Sequence, residues 1–108
     1  MIMNDTARFK VLADPHRQAI VERLSSAPAT VAELTKVLGI SQPAVSHHLK
    51  LMREAELVRF APSGASNVYY IDPAGLASMR AWLDQHWTRA LKAFEDSFVE
   101  EKPDDDTD

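Results

Sequence analysis

Cysteine is absent from this 108-residue chain, and glycine occurs only three times. Without cysteine there are no disulfides, no thiolate metal ligands, no thiol redox switch and no sulfur nucleophile. Three isolated glycines cannot build the glycine-rich loop that cradles a phosphate. No apolar run approaches the roughly 20 residues that a transmembrane helix needs. The first residues, MIMNDTARFK, lack a basic start followed by an apolar block and do not read as a secretory signal. A cytoplasmic protein with no membrane partner is the expectation. Ser46 stands beside His47 and His48, but nothing on that segment orients a base toward a nucleophile, so neither enzyme activity nor a cofactor is expected. The length allows one small domain near the lower end of comfortable stability, which a second copy would relieve by adding buried surface.

Positive charge is also scarce overall, with a formal net charge of −4, but the balance is uneven. Residues 100–108 carry Glu100, Glu101, Asp104, Asp105, Asp106 and Asp108 against Lys102 alone. Between Arg8 and Asp72, eight basic residues face six acidic ones, before His16, His47 and His48 are counted. Phosphate contacts are local, so the global sign does not exclude a nucleic-acid partner. The small excess implies only modest non-specific affinity. The chain therefore divides into a folded region, 1–99, and an acidic tail, 100–108, whose composition reads as disordered.

What is present is a succession of helix-start signals. A first helix is expected over about Thr6 to Leu12. Asp14-Pro15 supplies an N-cap and a first-turn proline for a second, to about Leu24, with Ile20, Val21 and Leu24 on one face. Residues 25–29 read as a connector. Thr30 and Glu33 form a T-x-x-E capping box for a third helix, which Gly39 ends. Ser41 caps a fourth, with Pro43 tolerated in its first turn. In SQPAVSHHLKLM, Val45, Leu49 and Met52 share an inward stripe, while Gln42, Ser46, His47 and Lys50 lie off it. Two short helices joined by a tight turn, the second rich in Ser, Gln, His and Lys, form a helix-turn-helix, whose second helix enters the major groove.

Leu57–Phe60 and Asn67–Ile71 read as strands around a Pro62/Gly64 turn. A hairpin directly after the recognition helix makes a winged helix: mainly α, with a small β-hairpin. Asp72-Pro73 then opens a last helix, to about Val99. Its apolar residues Leu76, Met79, Leu83, Trp87, Leu91, Phe94 and Phe98 recur every three to four positions. About 26 residues at 1.5 Å each span near 40 Å, more than a small body can cover. Pairing with a second subunit, together with Phe9 of the first helix, is the expectation. The aromatics Trp82, Trp87, Phe94 and Phe98 could alternatively line an apolar effector site.

The segments LADPHRQAIVERL, TVAELTKVLGISQPAVSHHLKLMREAELV and NVYYID resemble the ArsR/SmtB family of bacterial winged-helix repressors. The likeness spans roughly residues 6–98, and S-x-P-x-[VI]-S-x-H-L is its most specific piece. It implies four helices, a two-stranded hairpin and a long final helix. It further implies a homodimer that binds a palindromic operator as a repressor and that an inducer, unnamed by the residues, releases. The chain departs from the metal-sensing members. Thr30 and Ala32 stand where a Cys-x-Cys segment would bind metal. Asp72, Ala74, Gln85 and Thr88 stand at the other metal position, where only the aspartate survives, and an N-cap role explains it. Asp84 and His86 imitate that motif by spacing but fall a dozen residues late, with Ser97 where a second histidine would be needed. No metal site is expected. Glu56, in REAELV, replaces the usual glycine after the fourth helix.

The expected DNA-contacting residues are Ser41, Gln42, Pro43, Ser46, His47 and Lys50, with Arg17 and Arg59 on the backbone. Gln42 can pair with adenine, Ser46 can donate or accept, Pro43 can meet a thymine methyl, and Lys50 suits phosphate. His48 is divided between the groove and a role within the body. The turn between the strands contains no Lys or Arg, leaving Ser63, Ser66 and Asn67 for phosphate contacts. The competing readings are a winged-helix protein-interaction module, favoured by the acidic balance, and a metal-responsive repressor using Asp84 and His86.

Overall fold

The computed structural model describes residues 4–106, with side chains described through residue 98. Each helix starts where a polar side chain can accept from the open amides of its first turn. Asn4 Oδ1 accepts from Ala7 N at 2.9 Å and opens α1 (Asp5–Leu12). Asp14 Oδ1 accepts from the amides of His16 and Arg17, and Pro15 leads α2 (Pro15–Ser26). The Thr30/Glu33 box closes in both directions and opens α3 (Val31–Leu38). Gly39, at φ +70°, ends that helix. Ser41 Oγ accepts from Ala44 N at 3.3 Å before α4 (Gln42–Glu54). Asp72 Oδ1 accepts from Ala74 N at 3.0 Å at the head of α5 (Pro73–Asp106), the capping role expected of it.

Three strands form one antiparallel sheet in the order β1-β3-β2: β1 (Ala29–Thr30), β2 (Val58–Ser63) and β3 (Ser66–Ile71). The wing is longer than the sequence suggested. Pairing runs from Val58 opposite Ile71 to Ser63 opposite Ser66, so the turn shrinks to Gly64 and Ala65. Gly64 takes φ +63° at the first of these positions, a conformation glycine supplies without strain. Pro62 is tolerated because β2 is an edge strand. β1 lies where a connector was expected. Ala29 pairs with Tyr69 and Thr30 with Val68, which ties the start of α3 to the wing.

The core gathers Ile20 and Leu24 of α2, Leu34 of α3, and Val45, Leu49 and Met52 of α4, closed by Leu57, Val58 and Met79. The inward row of α4 is fully enclosed, so the opposite face of that helix is held rigidly outward.

A tight corner closes the far end of α4. Leu57 N donates to Met52 O at 2.9 Å and Glu56 N to Arg53 O at 3.0 Å, the paired bonds of a Schellman motif. That motif needs a left-handed residue, and Glu56 supplies it at φ +60°. The usual cost of a side chain there is about 1–2 kcal/mol. Arg8 lies against it, only 6% exposed. Its Nε donates to Ala55 O at 2.9 Å, one terminal nitrogen to Asp5 at 2.8 Å, and the other to Glu56. Burial alone would lower the Arg8 pKa, but the hydrogen bonds and charges of Glu56 and Asp5 outweigh it and raise it. Ser78 Oγ donates to the same Asp5 oxygen at 2.9 Å, joining α5 to the corner. Gly75 packs so closely there that a Cβ would fall 2.0 Å from Glu56 O.

Helix α5 extends past the end expected near Val99, to Asp106. The rest of the expected tail, residues 107 and 108, lies outside the described residues. Among the described residues, the first turns of α5 hold its enclosed positions: Gly75 and Met79 are buried, and Leu76 and Ser78 half-buried. Every side chain from 80 to 98 is exposed. Among the described residues, no helix is long and apolar enough to cross a membrane.

Candidate nucleic-acid interface

Helices α3 and α4, joined through Gly39 and Ile40, present one polar face. Ser41, Gln42, Pro43, Ser46, His47 and Lys50 are all exposed, on the side of α4 opposite Val45, Leu49 and Met52. The arrangement puts amide, hydroxyl, imidazole and ammonium groups in a row at and beyond the helix start. Those groups match the donor and acceptor patterns of base edges and phosphates.

The wing stands beside this row. Thr30, Val31, Ala32, Gln42, Ser66 and Asn67 line a shallow recess of about 230 Å³ between the starts of α3 and α4 and the base of the hairpin turn. Ser63, Ser66 and Asn67 are exposed near its tip. Arg59 is exposed on β2, while Arg53 lies over the Phe60 ring at 5.0 Å, a cation–π contact.

Arg17 and His48 are less free than the residues around them. Arg17 Nε donates to His48 Nδ1 at 3.1 Å, and its Nη1 donates to Val11 O at 3.0 Å. Arg17 is half-buried and clamps α1, α2 and α4 together, so a backbone contact with DNA would compete with that clamp. His48 takes the role within the body: partial burial pushes its pKa down, with Arg17, His16 and His47 adding to the effect against the pull of Asp14. Burial of Asp14 would raise its pKa, but the amides of Arg17 and His16 outweigh this and hold it low.

The residues expected at a subunit interface separate into two groups. Leu83, Trp87, Leu91, Phe94 and Phe98 are exposed along α5. Phe9 is half-buried and meets Trp82 edge-on at 5.5 Å, and Leu76 packs against the core. Met79 corrects the expectation: it is 5% exposed and belongs to the protomer's own core. The apolar period of a helix does not mark where its own body ends and a partner's surface begins.

Asp84 and His86 are engaged locally. Arg80 pairs with Asp84 at 3.7 Å, and His86 stacks on Trp82 at 4.0 Å while its Nδ1 lies 2.8 Å from Trp82 O. The fold instead gathers histidines that looked scattered in sequence. His16 and His48 rings lie 5.5 Å apart, with Asp14 adjacent. The D-P-H run by itself carries a helix-start signal, and no local pattern links it to His48.

Known proteins agree with this architecture. The helix-turn-helix domain family matches residues 12–59. The HTH-type transcriptional regulator Rv2034 of Mycobacterium tuberculosis is 50% identical over 86 residues, covering 80% of each chain. The transcriptional repressor SdpR of Bacillus subtilis is 28% identical over 75 residues, 69% of this chain and 83% of its own. The crystal structure of an ArsR family transcriptional regulator, RHA00566, superimposes with a TM-score of 0.71 at 30% identity, covering 77% of this chain and 91% of the other. These relatives are regulators rather than enzymes. The fold, the helix-turn-helix and these likenesses together show that the chain belongs to the ArsR/SmtB family of winged-helix DNA-binding transcriptional regulators.

Proposed function

We propose that the protein is a cytoplasmic homodimeric repressor that recognises a palindromic operator by placing α4 in the major groove of each half-site. The observation that carries this reading is the exposed row Ser41, Gln42, Pro43, Ser46, His47 and Lys50 on a helix whose other face is locked into the core. Gln42 and Ser46 read base edges, and Lys50 and Arg59 meet phosphate. Ser66 and Asn67 extend the contact from the wing. Leu83, Trp87, Leu91, Phe94 and Phe98 join the two α5 helices, with Phe9, Trp82 and Leu76 at the root of that interface. The exposure of so many large apolar side chains on one helix supports a protein partner, and a second copy supplies the matching stripe.

The test is a mobility-shift titration on the DNA upstream of the protein's own gene, with unrelated competitor, beside Gln42→Ala/Ser46→Ala. Saturable binding that survives competitor and loses sequence preference in the variant is expected. Each lost base contact should cost about 1–3 kcal/mol of discrimination. A binding-site selection that recovers no preferred sequence, or the same one for variant and parent, would remove these residues from the reading set and raise the protein-interaction reading.

A further inference from the structure

A carboxylate and two imidazoles meet where the start of α2 packs against the middle of α4. Asp14, His16 and His48 can each bring one ligand atom to within 4.8 Å of the other two. The Asp14 carboxylate is already oriented, because its Oδ1 caps the amides of His16 and Arg17. His16 is the adjustable member: its side chain is 48% exposed and its Nδ1 lies 4.0 Å from Asp14 Oδ1. Ligands about 2.0–2.2 Å from a tetrahedral zinc ion stand roughly 3.3–3.6 Å from one another. Closing the cluster therefore needs its ligand atoms to approach one another by about 1 Å, and the exposed His16 ring is the one of the three most free to move.

We propose that Asp14, His16 and His48 bind a divalent first-row transition-metal ion of the zinc class. Two imidazoles and one carboxylate form a three-ligand set that leaves a position for water. The site coincides with neither of the positions at which the sequence resemblance would place metal ligands, nor with Asp84 and His86.

Occupancy has a consequence for α4. His48 Nδ1 now accepts from Arg17 Nε. A metal on Nδ1 displaces that donor directly. A metal on Nε2 leaves the neutral ring with its proton on Nδ1, which then cannot accept from Arg17. By either route the metal replaces the Arg17–His48 link between α2 and α4, and Arg17 is released beside the proposed DNA face. This second step rests on the reading of α4 as the recognition helix; the binding of the ion does not.

The test uses the untagged, metal-stripped full chain. Zinc is titrated against a chromophoric chelator, and cobalt serves as the spectroscopic probe. One ion per protomer is expected, with ligand-field bands of a nitrogen- and oxygen-coordinated cobalt. His16→Ala and His48→Gln should each weaken zinc by at least the roughly 10- to 100-fold that loss of a mere supporting contact costs. Asp14→Asn, which keeps a capping oxygen, should weaken it too. Asp84→Ala with His86→Ala should not. If His48→Gln perturbs the fold, seen as a lowered apo melting temperature, the exposed His16 carries the test alone. Zinc affinity unchanged by His16→Ala would overturn the site. Operator titrations with and without zinc then read the coupling: a zinc effect in the parent that vanishes in His16→Ala is expected, and zinc bound with no such effect refutes the coupling. Failure to bind any operator would count against the repressor reading, while the chelator titration still decides the metal site.

Discussion

Glu56→Gly is the substitution whose outcome depends most directly on the corner at the end of α4. Two effects oppose each other. Glycine relieves the left-handed strain at φ +60°. Once the greater freedom of an unfolded glycine is subtracted, the relief is worth about 1 kcal/mol. The loss is the charged partner of Arg8, a guanidinium whose side chain is 7% exposed, against 48% for Glu56. An exposed ion pair is worth about 0–1 kcal/mol, and a hydrogen bond to a charged group about 1.5–3. One buried end and one wet end put this pair near 2 kcal/mol. The single variant should therefore lose about 1 kcal/mol. In an Arg8→Met background the pair no longer exists, and the same Glu56→Gly change should gain about 1 kcal/mol. The sign reverses, with a coupling of about 2 kcal/mol in a double-mutant cycle. Urea unfolding of the four proteins at one fixed protomer concentration reads it, since a dimer's midpoint moves with concentration. Glu56→Gly stabilising equally in both backgrounds would show that the Arg8–Glu56 pair contributes nothing, and the account of this corner would fail.

Gly75→Ala places a Cβ 2.0 Å from the carbonyl oxygen of Glu56 and 2.8 Å from its carbon, both backbone atoms that cannot step aside. A loss of about 3 kcal/mol or more is expected in thermal or urea unfolding, at or beyond the upper end of overpacking costs, and a loss under about 1 would contradict the close approach of α5. Phe94→Asp, on the exposed stripe of α5, should shift sedimentation from dimer to monomer while leaving helical circular dichroism intact; dimers of unchanged stability would exclude it from the interface. The amide and hydroxyl of Thr30 hold the Glu33 carboxyl below its usual pKa. A depressed folded pKa contributes stability above the unfolded value of about 4.3 that is lost as pH falls through the folded value. Glu33→Gln should thus be less stable than the parent at neutral pH, with the gap closing at acid pH; a gap independent of pH would mean the charge of the capping box has no role.

The parts of the fold that were legible in the sequence are those whose cause is local. Asp14 and Pro15, Thr30 and Glu33, Ser41, and Asp72 each cap a helix with atoms from the next few residues, so their short spacings carried the information. The alternation of Val45, Leu49 and Met52 with Gln42, Ser46 and His47 on α4 told inside from outside for the same reason. What escaped was made by distant partners. β1 is two residues long, too short for any period, and is a strand only because Tyr69 and Val68 lie opposite. Met79 shares its stripe with Leu83 and Trp87, yet is enclosed by its own body. His16 and His48 meet only because α2 packs on α4.

Glu56 shows how such an omission distorts an energetic argument. In sequence it is a side chain where glycine would be cheaper, a cost with no return. Local pattern gives Arg8 no special standing, since it is one charged residue on a short helix beside the apolar Phe9, Val11 and Leu12. Folding places Arg8 under the end of α4, where Ala55 O and Asp5 each accept from it and a carboxylate oxygen of Glu56 is the third acceptor. A glycine at 56 would leave that buried cation with one acceptor fewer. The departure from glycine and the burial of arginine are thus a single feature. Neither half can be evaluated without the other, since the strain sits on one residue and the compensation arrives from a residue 48 positions away.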